Sequence, residues 1–327
     1  MLRIELAPAF MLVLTDEQVS ELLSLPQLIE SIDHAFREEY DPNRSPVRSR
    51  FIEDDRVILV MPCQSEDAIG IKTILLMRRQ GRGPRTYRSS YTFHSLDGVT
   101  SAFFEANAMT ELRTAATSAA ATRVLALEDA SVLGIFGTGA IAEGHVAAML
   151  HVRSFKQVLV CGSSGEKSRR FAQQIEQRHG IAASAVAADT CAAEASVICT
   201  CTTSLEPLFS GAALKPGTHI NAVGAFTHDC REVDSLTVAR SRLVVDTYGG
   251  ALAEAGDLLK PIEEGTITRA HVASDLQGAL LNPSAVRRTA EDITLFKSVG
   301  CALEDMVAAR LLLSLARQLN AEHESGG

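Results

Sequence analysis

The chain is defined first by what it has little of. No apolar run approaches the roughly 18 residues that a membrane span needs, so none is expected. Cations are the minority charge, 31 Lys and Arg against 40 Asp and Glu, for a net charge of −9. That disfavours a general nucleic-acid or anionic-membrane binder, although a local basic pocket stays open. The seven cysteines form no C-x-x-C pair, and several sit in apolar runs such as Gln157-Val-Leu-Val-Cys161. They read as buried, reduced thiols of a cytoplasmic protein. Cys199-Thr-Cys201 on a strand would turn both sulfurs to one face. No His or Cys lies close by to complete a metal set, so the pair reads as packing and no metal is expected. The N-terminal stretch has one Arg, a Glu among its apolar residues and no A-x-A-like site, and it reads as a mature N-terminus. Repeats and low-complexity segments are also missing.

What is present is an ordinary globular composition, 46% hydrophobic and 22% charged, over 327 residues. At roughly 100–200 residues per domain this length suggests two domains. Thr15-Asp16-Glu17-Gln18 reads as a helix cap, and helical spacing continues to Tyr40. Strand-like runs follow at Arg56–Pro62, Ile69–Met77, Arg88–His94 and Val99–Phe104, with a Gly- and Pro-rich loop at Gln80–Arg85. This part reads as α+β with a mostly antiparallel sheet. After a long helix at Ala106–Leu127, apolar strands alternate with helices. The strands are expected at Ser131–Phe136, Val158–Cys161, Ser184–Ala187, Ser196–Cys201, His219–Val223 and Leu243–Asp246. That alternation predicts a doubly wound parallel sheet, an α/β fold of Rossmann type. Cys301–Leu319 reads as an amphipathic helix.

The sharpest local signal is Val132-Leu-Gly-Ile-Phe136-Gly137-Thr138-Gly139-Ala140-Ile141-Ala142. An apolar strand runs into G-x-G-x-x-A and then a helix. Gly137 permits the tight turn, Gly139 lets a pyrophosphate approach the backbone, and Ala142 lets helix and strand pack closely. A dinucleotide is therefore expected. NAD enzymes usually end the next strand with an acid that binds the ribose 2′-hydroxyl. Here it ends Cys161-Gly162-Ser163-Ser164, followed by Glu166, Lys167, Arg169 and Arg170. Small hydroxyl residues with nearby cations favour NADP(H), with NAD(H) still open.

Several further segments, taken in order, resemble the ornithine cyclodeaminase/mu-crystallin family. They are Pro46-Val-Arg48, Gly70-Ile-Lys72, Met109-Thr-Glu-Leu-Arg113-Thr-Ala-Ala, Cys201-Thr-Thr203-Ser-Leu-Glu-Pro207, Asn221-Ala-Val-Gly224-Ala, Glu232-Val-Asp234, Glu254-Ala-Gly-Asp257 and Leu295-Phe-Lys-Ser298-Val299-Gly300. The resemblance implies a substrate-binding and dimerisation domain over 1–115, completed by 301–327, around a nucleotide-binding domain over 116–300, and a homodimer. It also implies that Arg48, Lys72 and Arg113, with Val299 nearby, bind a substrate carboxylate, and that Lys72 is catalytic. Ser89, Thr202, Thr203, Val223, Gly224, Ala225 and Ser298 join Gly137–Ile141, Gly162, Ser163, Ser164 and Lys167 in the implied cofactor site. Guanidinium forks suit a carboxylate leaving water, and a lysine inside an apolar strand needs a partner.

One position departs from the family pattern. Cyclodeaminases carry a catalytic Asp in the loop after the Val-Gly strand. Counting back from Glu232-Val-Asp234, that place falls on Phe226, which cannot activate water or an amine; Asp229 is displaced. The loop is closer to those of the family's reductases. The expected activity is NADP(H)-preferring reduction of a cyclic α-imino acid such as Δ1-pyrroline-2-carboxylate. The alternatives are a cyclodeaminase with tightly bound NAD, an alanine-dehydrogenase-like enzyme, or a non-catalytic ligand binder.

Overall fold

The computed structural model describes residues 10–54, 56–77 and 86–325, so the loop expected at Gln80–Arg85 lies outside the described residues. The chain divides into two compact units. One comprises the described residues through Ser31, Glu38–Arg113 and those from Cys301 onward; the other comprises Ile32–Arg37 and Thr114–Gly300.

The first unit is built on six strands: β1 (Phe10–Leu14), β2 (Ser49–Glu53), β3 (Arg56–Gln64), β4 (Ala68–Met77), β5 (Thr86–Ser95) and β6 (Thr100–Glu105), in the order β1-β6-β5-β4-β3-β2. Pairing is antiparallel from β2 through β6, and β1 joins β6 in parallel. The expected cap is present: Gln18 N donates to Thr15 Oγ1, and Thr15 N donates to Gln18 Oε1. Alternation along the strands separates two faces. Leu59, Met61, Cys63, Lys72, Ile74, Tyr91 and Phe93 are buried on one of them, and the helix Ala302–Ser325 packs against β3, β4 and β5. Strand β2 was not anticipated, because all five of its residues are exposed and give no half-buried rhythm.

The second unit carries eight strands: β7 (Val132–Phe136), β8 (Gln157–Cys161), β9 (Ala182–Ala185), β10 (Val197–Thr200), β11 (His219–Ala222), β12 (Ser241–Val245), β13 (Val272–Asp275) and β14 (Ile293–Lys297). All pair in parallel, in the order β13-β12-β14-β11-β10-β7-β8-β9. This is the doubly wound sheet that the strand–helix alternation predicts. Strand β9 lies two residues earlier than the composition suggested, since Ala182-Ala-Ser-Ala-Val-Ala-Ala188 offers no contrast that marks a boundary. Strands β13 and β14 were not anticipated either. Strand β14 is buried along its whole length although it ends in Lys297, which the structure pairs with Asp257.

Candidate active site

From β7 the chain winds outward through β8 and β9, then returns to β10 on the other side of β7. Ligands of such sheets bind at this reversal, beyond the carboxyl ends of the strands. Register places Phe136, Thr200, Ala222 and Lys297 side by side at the ends of β7, β10, β11 and β14. The loops that follow hold Gly137–Ile141, Thr202–Thr203, Val223–Ala225 and Ser298–Val299, and β8 ends alongside at Cys161 before Gly162–Ser164. Apart from Lys167, which lies on the helix Gly165–His179, the expected cofactor residues of this unit therefore share one edge of one sheet.

The glycine loop fits a dinucleotide. Gly137 has φ 118°, in the region that L side chains avoid, and a Cβ there would lie 2.7 Å from the Cys201 carbonyl oxygen. Gly139 caps the helix Ala140–Val152, and a Cβ on it would meet nothing within 4 Å. Open space in front of a helix N-terminus is what a pyrophosphate requires.

Two buried carboxylates, not singled out from the sequence as site residues, build the other loops. Glu232 Oε1 accepts from Thr202 N at 2.6 Å and Thr202 Oγ1 at 2.8 Å. Its Oε2 accepts from Thr200 Oγ1 at 2.9 Å, Gly224 N at 2.7 Å and Ala225 N at 3.1 Å. Burial, then the nearby Asp257, raises the Glu232 pKa, while five donors favour its acceptor-only, ionised form. Gly224 has no room for a side chain, because a Cβ would collide with the Thr202 backbone. Asp246 Oδ2 gathers Ser298 Oγ, Val299 N and Gly300 N at 3.0, 2.7 and 2.6 Å. The Lys297–Asp257 pair at 2.9 Å braces this assembly, with Asp257 Oδ1 accepting from the amides of Glu232 and Val233. The available signal was positional: Asp246 follows directly on an apolar strand, and Lys297 ends one.

At the end of β8 the strand carries no acid, and the nearest one along the chain is Glu166, in the first turn of the following helix. Ser163 and Ser164 are exposed, and the Ser164 hydroxyl accepts from Lys167 N to cap the helix Gly165–His179. Arg169 folds back over that helix start, with Nη1 3.3 Å from where a Gly165 Cβ would stand. A helix N-terminus, two small hydroxyl residues and the Arg169 guanidinium favour an anion at this corner, against the single Glu166 carboxylate in the same turn.

In the first unit, Lys72 and Arg113 come together on acids of the helix Ala302–Ser325. Lys72 Nζ lies 2.7 Å from Asp305 Oδ1, and Arg113 Nε lies 3.1 Å from the same oxygen. Arg113 Nη1 donates to Glu304 Oε2 at 2.6 Å, and Glu304 Oε1 accepts from Cys301 N. All four residues are buried. Burial, then the Arg113 charge, lowers the Lys72 pKa to about 8, against the pull of Asp305. The cations thus carry counter-charges, and their signal in the sequence was an acid pair inside an apolar helix. Gly70 serves the same site: a Cβ there would collide with the Tyr91 hydroxyl, and Tyr91 is the partner of Lys72 across β4 and β5. Arg48 is half-buried, directly before β2, whose first residue pairs with Val60, next to the Met61 that pairs with Lys72.

The remaining candidates fall elsewhere. Ser89 belongs to the first unit, where both its amide and its hydroxyl donate to Asn107 Oδ1 at 2.9 Å. Phe226 packs against the hydrophobic core of the second unit. His228 Nε2 meets Glu263 at 2.8 Å, which raises its pKa, and the Asp229 carboxylate beside it is 92% exposed. Among the described residues no cluster of His, Cys, Asp and Glu could hold a metal ion, and no helix is long and apolar enough to cross a membrane.

Residues 10–318 match the ornithine cyclodeaminase/mu-crystallin family. The Δ1-pyrroline-2-carboxylate reductase of Colwellia psychrerythraea is 31% identical over 307 residues, covering 91% of this chain and 97% of that protein. The ketimine reductase mu-crystallin of Mus musculus is 35% identical over 257 residues, covering 77% and 78%. Among solved structures, the Δ1-pyrroline-2-carboxylate reductase of Thermococcus litoralis, in complex with NADH and L-proline, superposes with a TM-score of 0.89. It has 32% identity and covers 94% of this chain and 98% of that one.

Proposed function

The chain belongs to the ornithine cyclodeaminase/mu-crystallin family, and from that membership we propose that it is an NAD(P)H-dependent reductase of cyclic α-imino acids. In this reading Arg48, Lys72 and Arg113 hold the substrate carboxylate. The observation that carries it is the meeting of Lys72 and Arg113 on one Asp305 oxygen, from β4 and from a separate helix. Among the described residues Lys72 Nζ donates to that one acceptor, which leaves ammonium hydrogens for a ligand. The nicotinamide, when bound, supplies the hydride. The chain's own residues fix the carboxylate and so orient the adjacent C=N carbon, and orientation alone can supply much of a rate enhancement. A protonated imine is already electrophilic, so a strong protein acid is not required, and the family's deaminating Asp has no counterpart at Phe226.

The test is direct. Protein, NADPH and Δ1-pyrroline-2-carboxylate should give steady loss of absorbance at the reduced cofactor's band, and ornithine should release no ammonia. Ammonia without net cofactor oxidation would point to a cyclodeaminase, and inertness toward both would point to a binder.

The corner after β8 supports a preference for NADPH over NADH. Placing an acid there, Ser163→Asp, should reverse or erase that preference in kcat/KM by repelling a 2′-phosphate. A wild-type enzyme that favours NADH would overturn the preference and leave the reductase reading standing.

The assembly proposed is a homodimer. One face of the first unit's sheet is apolar yet open, with Met11, Val13, Ile58, Ile69, Ile71 and Met77 each more than a third exposed. An uncovered apolar face of this kind marks an association surface. Sedimentation at micromolar concentration should give twice the chain mass, and a monomer would refute the pairing.

A further inference from the structure

An α-imino acid presents two charges on adjacent atoms, a carboxylate and a protonated nitrogen. A site lined with cations alone would hold the first and repel the second. The cluster around Lys72 is not of that kind. Its two cations, Lys72 and Arg113, face two carboxylates, Glu304 and Asp305, with all four side chains nearly or fully excluded from solvent.

The carboxylates are used unequally. Glu304 engages both its oxygens, Oε2 with Arg113 and Oε1 with Cys301 N. Asp305 meets both cations through Oδ1, and its Oδ2 is buried with no hydrogen-bond partner among the described residues. A buried carboxylate oxygen without a donor is destabilising. It persists where a donor arrives with a ligand. Lys72, one bond away across Oδ1, keeps ammonium hydrogens in reserve. An unused acceptor beside unused donors forms a receptor for a dipolar group.

We propose that Asp305, through Oδ2, accepts the N–H of the substrate's protonated imine nitrogen while Lys72 and Arg113 hold the carboxylate. Asp305 is then a substrate-binding residue that selects nitrogen-bearing carboxylates over keto, hydroxy or carbocyclic acids of the same shape. The contact rests on the imino acid reductase reading and refines it. It also gives a purpose to the pairing of this acid with two cations, which compensate a carboxylate excluded from water.

The experiment compares two ligands of matched shape as inhibitors of ketimine reduction: L-proline, which carries the N–H, and cyclopentanecarboxylate, which lacks it. Wild type should bind proline at least tenfold more tightly, because a hydrogen bond to a charged group is worth about 10- to 150-fold in affinity. In Asp305→Asn the proline inhibition constant should rise by about the same factor. The cyclopentanecarboxylate constant should hold or improve, since the cations lose a competing counter-charge. Equal weakening of both ligands would mean that Asp305 only props up Lys72 and Arg113, and would overturn the proposal; so would no change in either. If Asp305→Asn does not fold, the wild-type comparison decides, with equal affinities overturning it. Wild type that reduces no ketimine and binds no proline would sink the reductase reading, and this contact with it. Turnover with equal affinities for the two ligands would sink the contact alone.

Discussion

Glu232→Gln should lose at least about tenfold in NAD(P)H affinity and roughly 2–6 kcal/mol of stability, although Glu232 is placed under the cofactor loops rather than in them. Its carboxylate takes five donors from the ends of β10 and β11. An amide of the same shape turns one acceptor into a donor, which leaves at least two of those groups facing hydrogens. Each buried group left unsatisfied costs about 1–3 kcal/mol. The loops at Thr202 and Gly224 would part, and with them the surface proposed to receive the cofactor. Fluorescence titration with NADPH and thermal melting read the two effects. Gly224→Ala should reproduce the affinity loss with the Glu232 carboxylate retained, since its Cβ has no place between the Thr202 backbone and Glu232 Oε1. Normal affinity in both variants would mean that these loops do not form the cofactor site.

Arg113→Ala should be costly twice. Substrate binding loses a charged hydrogen bond, about 10- to 150-fold in kcat/KM. Folding loses about 3–5 kcal/mol, because Glu304 and Asp305 are left buried with one cation between them. A single substitution therefore cannot separate a substrate role from a structural one. The double variant Arg113→Met with Glu304→Gln can. It removes a cation and its counter-charge together, so the melting temperature should recover most of the loss. Activity on the ketimine should stay low, and NADPH affinity should remain near normal. If kcat/KM recovers along with stability, Arg113 is a structural cation and the carboxylate clamp is misplaced.

The parts of this protein legible in its sequence are those written over short distances. A strand, G-x-G-x-x-A and a helix are consecutive, so Gly137, Gly139 and Ala142 announce a dinucleotide loop before any packing is known. Alternation of apolar strands with helices gives the doubly wound sheet in the same way, because each strand–helix unit carries its own periodicity. Strands β2, β13 and β14 escaped that reading. Strand β2 has no buried face to set a rhythm, and β14 ends in a lysine that only a distant partner makes tolerable.

By itself the sequence determined the fold class, the glycine-loop pattern and the missing acid after β8, while Arg48, Lys72 and Arg113 were expected as substrate cations from the family resemblance. Tertiary structure decided how those cations are compensated. The partner of Lys72 lies 233 positions away, and that of Arg113 lies 191 away. An acid pair inside an apolar helix stands out locally, but nothing local assigns Glu304 and Asp305, among 40 acids, to these two cations. A charge excluded from water is neutralised by whatever opposite charge is nearest in space, and the Coulomb energy depends on that distance and not on separation along the chain. The same reason hid Glu232: a carboxylate that organises two loops is recognisable only once five donors have been brought around it.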